Sequence, residues 1–210
     1  MGHALHHLLA HVEVDHATDA EALEWDAVEF PSQFLERWVY DRATFASIVS
    51  ARHGETGAPL PARAYESVCA QRAHNGALAL LSRLHHAHLD LALHMATPPV
   101  PVEAIAARMS ADYEMVPTDP TFLCAFTHIL GGGDYDAGYY SYVWAEVLAA
   151  DAFEAFFSVD GADAHLLGRR FRAVVLEAGA AAAPMAELFR RFRGRKPSQD
   201  ALLRWYGICD

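Results

Sequence analysis

Residues 60–95, LPARAYESVCAQRAHNGALALLSRLHHAHLDLALHM, are the longest periodic stretch of this 210-residue chain. Tyr65, Val68, Leu78, Leu81, Leu84 and Leu91 recur at the three- and four-residue steps that line one face of a helix. Leu60–Pro61 supplies a start, and Asn75–Gly76 marks a break in the middle. TPPVP at 97–101 ends the stretch before a short helix over Val102–Met109 and a loop over 110–121.

The pattern continues outward in both directions. FLCAFTHIL (122–130) leads into a glycine-rich turn, GGGDYDAG (131–138), and then a helix from Tyr139 to Phe157. Further helices are predicted over Leu166–Glu177, Pro184–Arg193 and Gln199–Trp205, with Pro184 and Gly194 as N-terminal proline and C-terminal glycine of their element. Toward the N-terminus, helices are predicted over Gly2–His11, Asp26–Tyr40 (with a kink or fresh start at Pro31) and Arg42–Arg52. No alternating apolar pattern of useful length and no internal repeat occurs. The fold class is therefore all-α, a multi-helix chain, with room for a small β element near residues 13–26.

Composition narrows the function. The chain is 53% hydrophobic and 20% charged, with a net charge of -11. That balance excludes a nucleic-acid binder working by phosphate neutralisation. Nine of the 16 basic residues fall after position 162, a run read as solvated helix faces. Cys69, Cys124 and Cys209 are odd in number and far apart, so they form neither a disulfide framework nor a metal knuckle. No run of 18 uncharged apolar residues predicts a membrane span. The N-terminal stretch carries five histidines and no Lys or Arg up to His16, unlike a secretory leader. The expectation is a cytoplasmic protein.

Two loci carry chemistry. His3 and His7 lie one helical turn apart, a spacing at which two rings can share a metal. His128, Tyr135, Tyr139 and Tyr142 surround the glycine turn, and phenols there can donate to a developing oxyanion or simply pack.

The segments GHALHHLL (2–9), WDAVEFPSQFLERW (25–38), ETGAPLP (55–61), THILGGGDYDAGYYSYVWAEVLAADAF (127–153) and PMAELFRRFRGRKPSQDALLRWYGI (184–208) resemble, in order, the C-terminal part of the catalytic domain in the oligopeptidase A and thimet oligopeptidase family, the M3 zinc metallopeptidases. The resemblance implies a helical domain that hydrolyses short peptides by metal-activated water. The family motif, His-Glu-x-x-His, offers two imidazoles one turn apart to zinc, with the Glu as base. By resemblance His3 is the second His of that motif and Glu29 the later carboxylate ligand. Asp26 would orient a ligand imidazole, and His128, Tyr135 and Tyr142 would bind substrate and stabilise the tetrahedral intermediate.

Departures from the pattern shape the expectation. Met1 falls on the third position of the motif, so its first His and its catalytic Glu have no counterpart. The glycine turn reads GGGDY where AGGY is usual. The isolated chain is therefore expected to bind zinc weakly or not at all and to be inactive or nearly so. It would be a fragment of such a zinc endopeptidase or, alternatively, a non-catalytic helical scaffold or a half that self-associates or docks with a missing N-terminal segment. Its partners would be short peptides once completed, with no nucleic acid and no membrane.

Overall fold

A computed structural model describes residues 1–10, 24–48, 61–113, 120–131, 135–159, 161–178 and 183–209. Every regular element among them is helical: α1 (Gly2–Leu9), α2 (Phe30–Glu36), α3 (Arg42–Ile48), α4 (Ala62–Ala73), α5 (Gly76–His94), α6 (Val102–Asp112), α7 (Pro120–Ala125), α8 (Thr127–Leu130), α9 (Ser141–Phe157), α10 (Gly161–Phe171), α11 (Met185–Arg193) and α12 (Asp200–Trp205). The all-α expectation holds. The small β element near 13–26 falls mostly on residues 11–23, outside the described residues. Among the described residues there is no strand, and Trp25–Ala27 is a single 3₁₀ turn.

Helix boundaries follow local chemistry. The long stretch 60–95 divides where Asn75 takes a left-handed φ of 58°, a conformation Asn tolerates better than most residues. Gly76 is required there, because a Cβ would lie 2.5 Å from the Tyr206 carbonyl oxygen. The segment 26–40 is not one helix. Pro31 sits in the first turn of α2, where its missing N–H is harmless, and a 3₁₀ turn over Arg37–Tyr40 follows. Three predicted ends shift: α1 stops at Leu9 as Ala10 turns extended, α6 runs on to Asp112, and α9 begins at Ser141 after Tyr139 and Tyr140 close a turn. The element predicted over Leu166–Glu177 starts earlier as α10 and ends in a π turn over Arg172–Leu176, with the Glu177 amide donating to the Arg172 carbonyl. Beyond Ile48 the predicted Arg42–Arg52 helix lies outside the described residues.

The chain divides into two compact units, Met1–Gly76 with Ala145–Asp210, and Ala77–Trp144. The first has a phenylalanine core. Phe30, Phe34, Phe153, Phe171, Phe189 and Phe192 are all buried, and Phe34 stacks on Phe171 with centroids 3.9 Å apart. α11 shows how the basic run is accommodated. Met185, Leu188, Phe189 and Phe192 face the core, while Arg190 and Arg191 lie outward beside Glu187 in ion pairs worth little on an exposed surface. Pro184 precedes this helix, Glu24 Oε2 accepts its first amide at 2.8 Å, and Gly194 closes it at φ 75°.

Arg37 is the costly residue of this unit. It is buried beside Glu146 at 3.7 Å, donates to the Glu146 carbonyl at 3.3 Å, and lies 4.1 Å over the Trp205 ring. Arg72 covers Trp205 at the same distance. Burial pulls the Arg37 guanidinium down to about 10, with Glu146 acting the other way, so it stays charged at neutral pH. Tyr206 donates to the same carboxylate at 2.7 Å. Glu146→Gln keeps an acceptor for Tyr206 and removes the counter-charge. It is expected to cost about 3 kcal/mol in urea unfolding; a loss below about 1 kcal/mol would show that the Trp205 face and the Glu146 carbonyl hold the charge without the carboxylate.

The second unit packs α5 to α8 around Leu89, Leu93, Ile105, Ala106, Met109, Leu123 and Ile129. Its α5 also carries Asp90, which has no exposed surface.

Candidate functional site

The first unit brings His3 and Glu29 together, and a glycine makes that possible. Gly2 is buried against α2, where a Cβ would lie 2.3 Å from Ser32 Cα and 2.5 Å from the Pro31 carbonyl oxygen. Only a residue without a side chain lets α1 approach so closely. The next residue, His3, then sets its Nε2 3.1 Å from Glu29 Oε2. Ser32 Oγ donates to that same Glu29 oxygen at 3.0 Å and to the Glu29 carbonyl at 2.9 Å. Ser32 thus holds Glu29 beside His3, whose side chain is about half exposed at 55%.

Asp26 lies on the 3₁₀ turn three residues before Glu29, half-buried. His6 is buried, and burial, with His3 and His7 nearby, holds its imidazole below the usual 6.5. Among the described residues no group of three or more His, Cys, Asp or Glu side chains is placed to hold a metal ion. His3 and Glu29 are the right donor types for zinc, but two donors do not make a three-ligand site. The described residues by themselves do not fit the complete metal centre.

The second unit brings the aromatic set together. Tyr135 stacks on Tyr142 with centroids 4.8 Å apart, and His128 lies 5.8 Å from Tyr135. Tyr139 packs 5.1 Å from Tyr142 and 5.4 Å from Phe126. His86, on α5, lies edge-on to Phe126 and Tyr139 and stacks on Phe122. The tyrosines are therefore one end of a contiguous aromatic cluster. Burial and the neighbouring Tyr142 push the Tyr139 phenol up, so it keeps its proton as a donor across the physiological range. Of the glycine turn itself, residues 132–134 lie outside the described residues.

Sequence reasoning missed the group beneath the turn. Asp90 Oδ1 accepts the Ala137 amide at 3.0 Å and Oδ2 the Tyr139 amide at 2.9 Å. His94 Nδ1 lies 2.9 Å from Oδ1 and 3.0 Å from the Asp90 carbonyl. One signal pointed to it: a carboxylate between Leu89 and Leu91 that is the one acidic residue of α5. A buried carboxylate needs donors, and here most come from residues 47 and 49 positions away.

Residues 1–208 match the sequence profile of Peptidase family M3. The chain is 43% identical to the organellar oligopeptidase A (chloroplastic/mitochondrial) of Arabidopsis thaliana, covering 99% of this chain and 27% of that protein. It is 43% identical to the probable cytosolic oligopeptidase A of the same plant and 40% identical to oligopeptidase A of Escherichia coli (strain K12), in each case over 99% of this chain and 30% of the relative. The chain thus spans about three-tenths of the length of the curated relatives it matches.

Two outcomes follow from this geometry. Gly2→Ala forces backbone against backbone and is expected to cost about 2–3 kcal/mol, with the His3 ring resonance no longer responding to Glu29→Gln. A stable variant that kept the response would refute the close-approach argument. Second, burial lowers His6, His85 and His86 below 6.5. The unfolded chain therefore binds protons first as pH falls, so stability is full above about pH 7 and is lost as pH drops through 6.5 toward the lowered folded values. His86→Phe keeps a ring in the aromatic cluster and should flatten the dependence of melting temperature on pH between 7 and 5; an unchanged slope would remove His86 from the account.

Proposed function

Because the chain belongs to peptidase family M3, we propose that it is the C-terminal portion of the catalytic domain of an oligopeptidase A-like zinc endopeptidase acting on short peptides, beginning inside the zinc-binding motif. On this reading the chain supplies two metal ligands, His3 and Glu29, with Asp26 orienting a ligand imidazole. It also supplies the substrate-binding face, His128, Tyr135 and Tyr142. The observation that carries the reading is the His3–Glu29 contact at 3.1 Å, which joins two residues 26 positions apart without any third donor among the described residues.

The phenols of Tyr135 and Tyr142 donate hydrogen bonds to the oxygen that gains charge as the peptide carbonyl is attacked, a role that needs them preset rather than mobile. His128 holds the substrate backbone. The remaining ligand and the base come from polypeptide outside this chain, so the isolated chain turns over little or no peptide. The three free cysteines support a reducing, cytoplasmic setting. No described helix is long and apolar enough to cross a membrane.

A second reading, a non-catalytic scaffold or a half that docks with a further segment, is favoured by exposed apolar side chains. Leu8, Met95 and Phe157 are each about two-thirds exposed or more, apolar surface that a docked segment or a second copy would cover.

Metal content by mass spectrometry and cleavage of a quenched fluorescent peptide separate these. The chain alone is expected at background in both. Joined to the upstream part of an oligopeptidase A, it should bind zinc and cleave, and Tyr142→Phe should lower kcat about 100-fold. Near-stoichiometric zinc with chelator-sensitive cleavage by the chain alone would overturn the incomplete-site reading. A completed complex that binds zinc but cleaves nothing would favour the scaffold.

A further inference from the structure

Ala137 has a left-handed φ of 58°, which a residue with a Cβ does not adopt without something holding it there. Two hydrogen bonds hold it. Its amide, and that of Tyr139 two residues on, run to the two oxygens of one carboxylate with no exposed surface. The turn they bracket closes at Tyr135–Gly138 and Gly138–Ser141, and it sets the spacing of Tyr135, Tyr139 and Tyr142.

We propose that Asp90 is a positioning residue for the peptide-binding tyrosines. Its paired oxygens clamp the Ala137 and Tyr139 amides, hold the strained turn, and so fix the Tyr135–Tyr142 stack as a rigid donor surface. His94 against Oδ1 keeps the carboxylate aimed at the turn. The clamp needs a carboxylate and not merely a polar residue of that size. An amide offers one acceptor oxygen and sets an N–H₂ against the second backbone N–H, donor against donor. The inference rests on the reading that Tyr135 and Tyr142 face substrate.

Amide exchange and tyrosine ring ¹³C NMR on the 210-residue chain test it. Asp90→Asn is expected to speed exchange at Ala137 and Tyr139 by about ten- to hundred-fold and to shift the Tyr135 and Tyr142 ring signals, with the Leu123 and Ile129 amides changing less than about two-fold. Adding Ala137→Gly, which removes the left-handed strain, should recover several-fold of the lost protection, a coupling that a general core defect would not show. Unchanged exchange at 137 and 139 overturns the proposal, as does a loss spread evenly over α5 to α8. Should Asp90→Asn not fold, Ala137→Gly alone decides. Several-fold slower exchange across 137–139 supports a turn strained against its clamp, and no change or acceleration refutes it.

The role in catalysis is read separately in the completed peptidase. Lower kcat at similar KM in both Asp90→Asn and Tyr142→Phe supports positioning. A kcat lowered by Tyr142→Phe but unmoved by Asp90→Asn overturns it. If Tyr142→Phe has no effect while Asp90→Asn loosens the turn, the substrate-facing reading of the tyrosines fails and the clamp on the turn stands.

Discussion

Asp151 has no exposed surface, and much of the first unit depends on how its charge is met. Arg193 Nε reaches it at 2.9 Å, Arg195 touches both oxygens at 2.6 and 2.7 Å, and the Ser198 amide donates at 2.7 Å. A carboxylate left bare at this depth would cost several kcal/mol, so the segment 193–198 is drawn against α9. That fixes the direction in which the chain leaves α11 and enters α12. α12 in turn delivers Trp205 between the Arg37 and Arg72 guanidinium groups, and α11 delivers Phe189 onto Phe30. Phe30 opens α2, and the residue before it is Glu29. The carboxylate proposed to hold a metal thus caps the start of a helix whose floor is set by an ion-pair network more than 120 residues later in the chain.

The second unit meets a buried carboxylate in a different way. Asp151 is neutralised by two arginines, whereas Asp90 is met by two backbone amides and one histidine. Guanidinium groups anchor by charge and tolerate some movement of their long stems. Backbone amides have no such slack, so two of them on one carboxylate fix the chain path itself. The first arrangement suits a structural joint, and the second suits the proposed presentation of phenols in one geometry.

The helical architecture was readable because its punctuation is local. Pro184 and Gly194 bracket α11, Asn75–Gly76 breaks the long stretch, and the 3.6-residue pattern over 60–95 needs no partner to be recognised. Boundaries failed where the deciding contact is distant or the backbone departs from α geometry, as at the 3₁₀ turns flanking α2 and the π turn after α10. The His3–Glu29 pair was reached only through the resemblance, since nothing in either local stretch announces the other. Asp90 stood out only as the one acidic residue of α5, and its role was hidden for the same reason: two of its partners are amides, which every residue has, and only the fold says which two. The basic C-terminal run resolved into ordinary physics, part of it exposed pairs on α11 and part the cage around Asp151.

The His3–Glu29 contact has a chemical consequence of its own. A neutral imidazole nitrogen without a proton and a carboxylate oxygen are both lone-pair donors, and at 3.1 Å they repel unless a positive centre lies between them. In the chain as described, a proton on Nε2 meets that requirement. A divalent cation bound as proposed would compete for the same place and release that proton. With two protein donors the cation keeps most of its water shell and gains little over the proton. Each added ligand tips the balance, and Ser32, which already holds the Glu29 oxygen at 3.0 Å, lowers the ordering that completion requires. On the proposed reading the pair is half of a cation site, held as a hydrogen bond until further donors arrive.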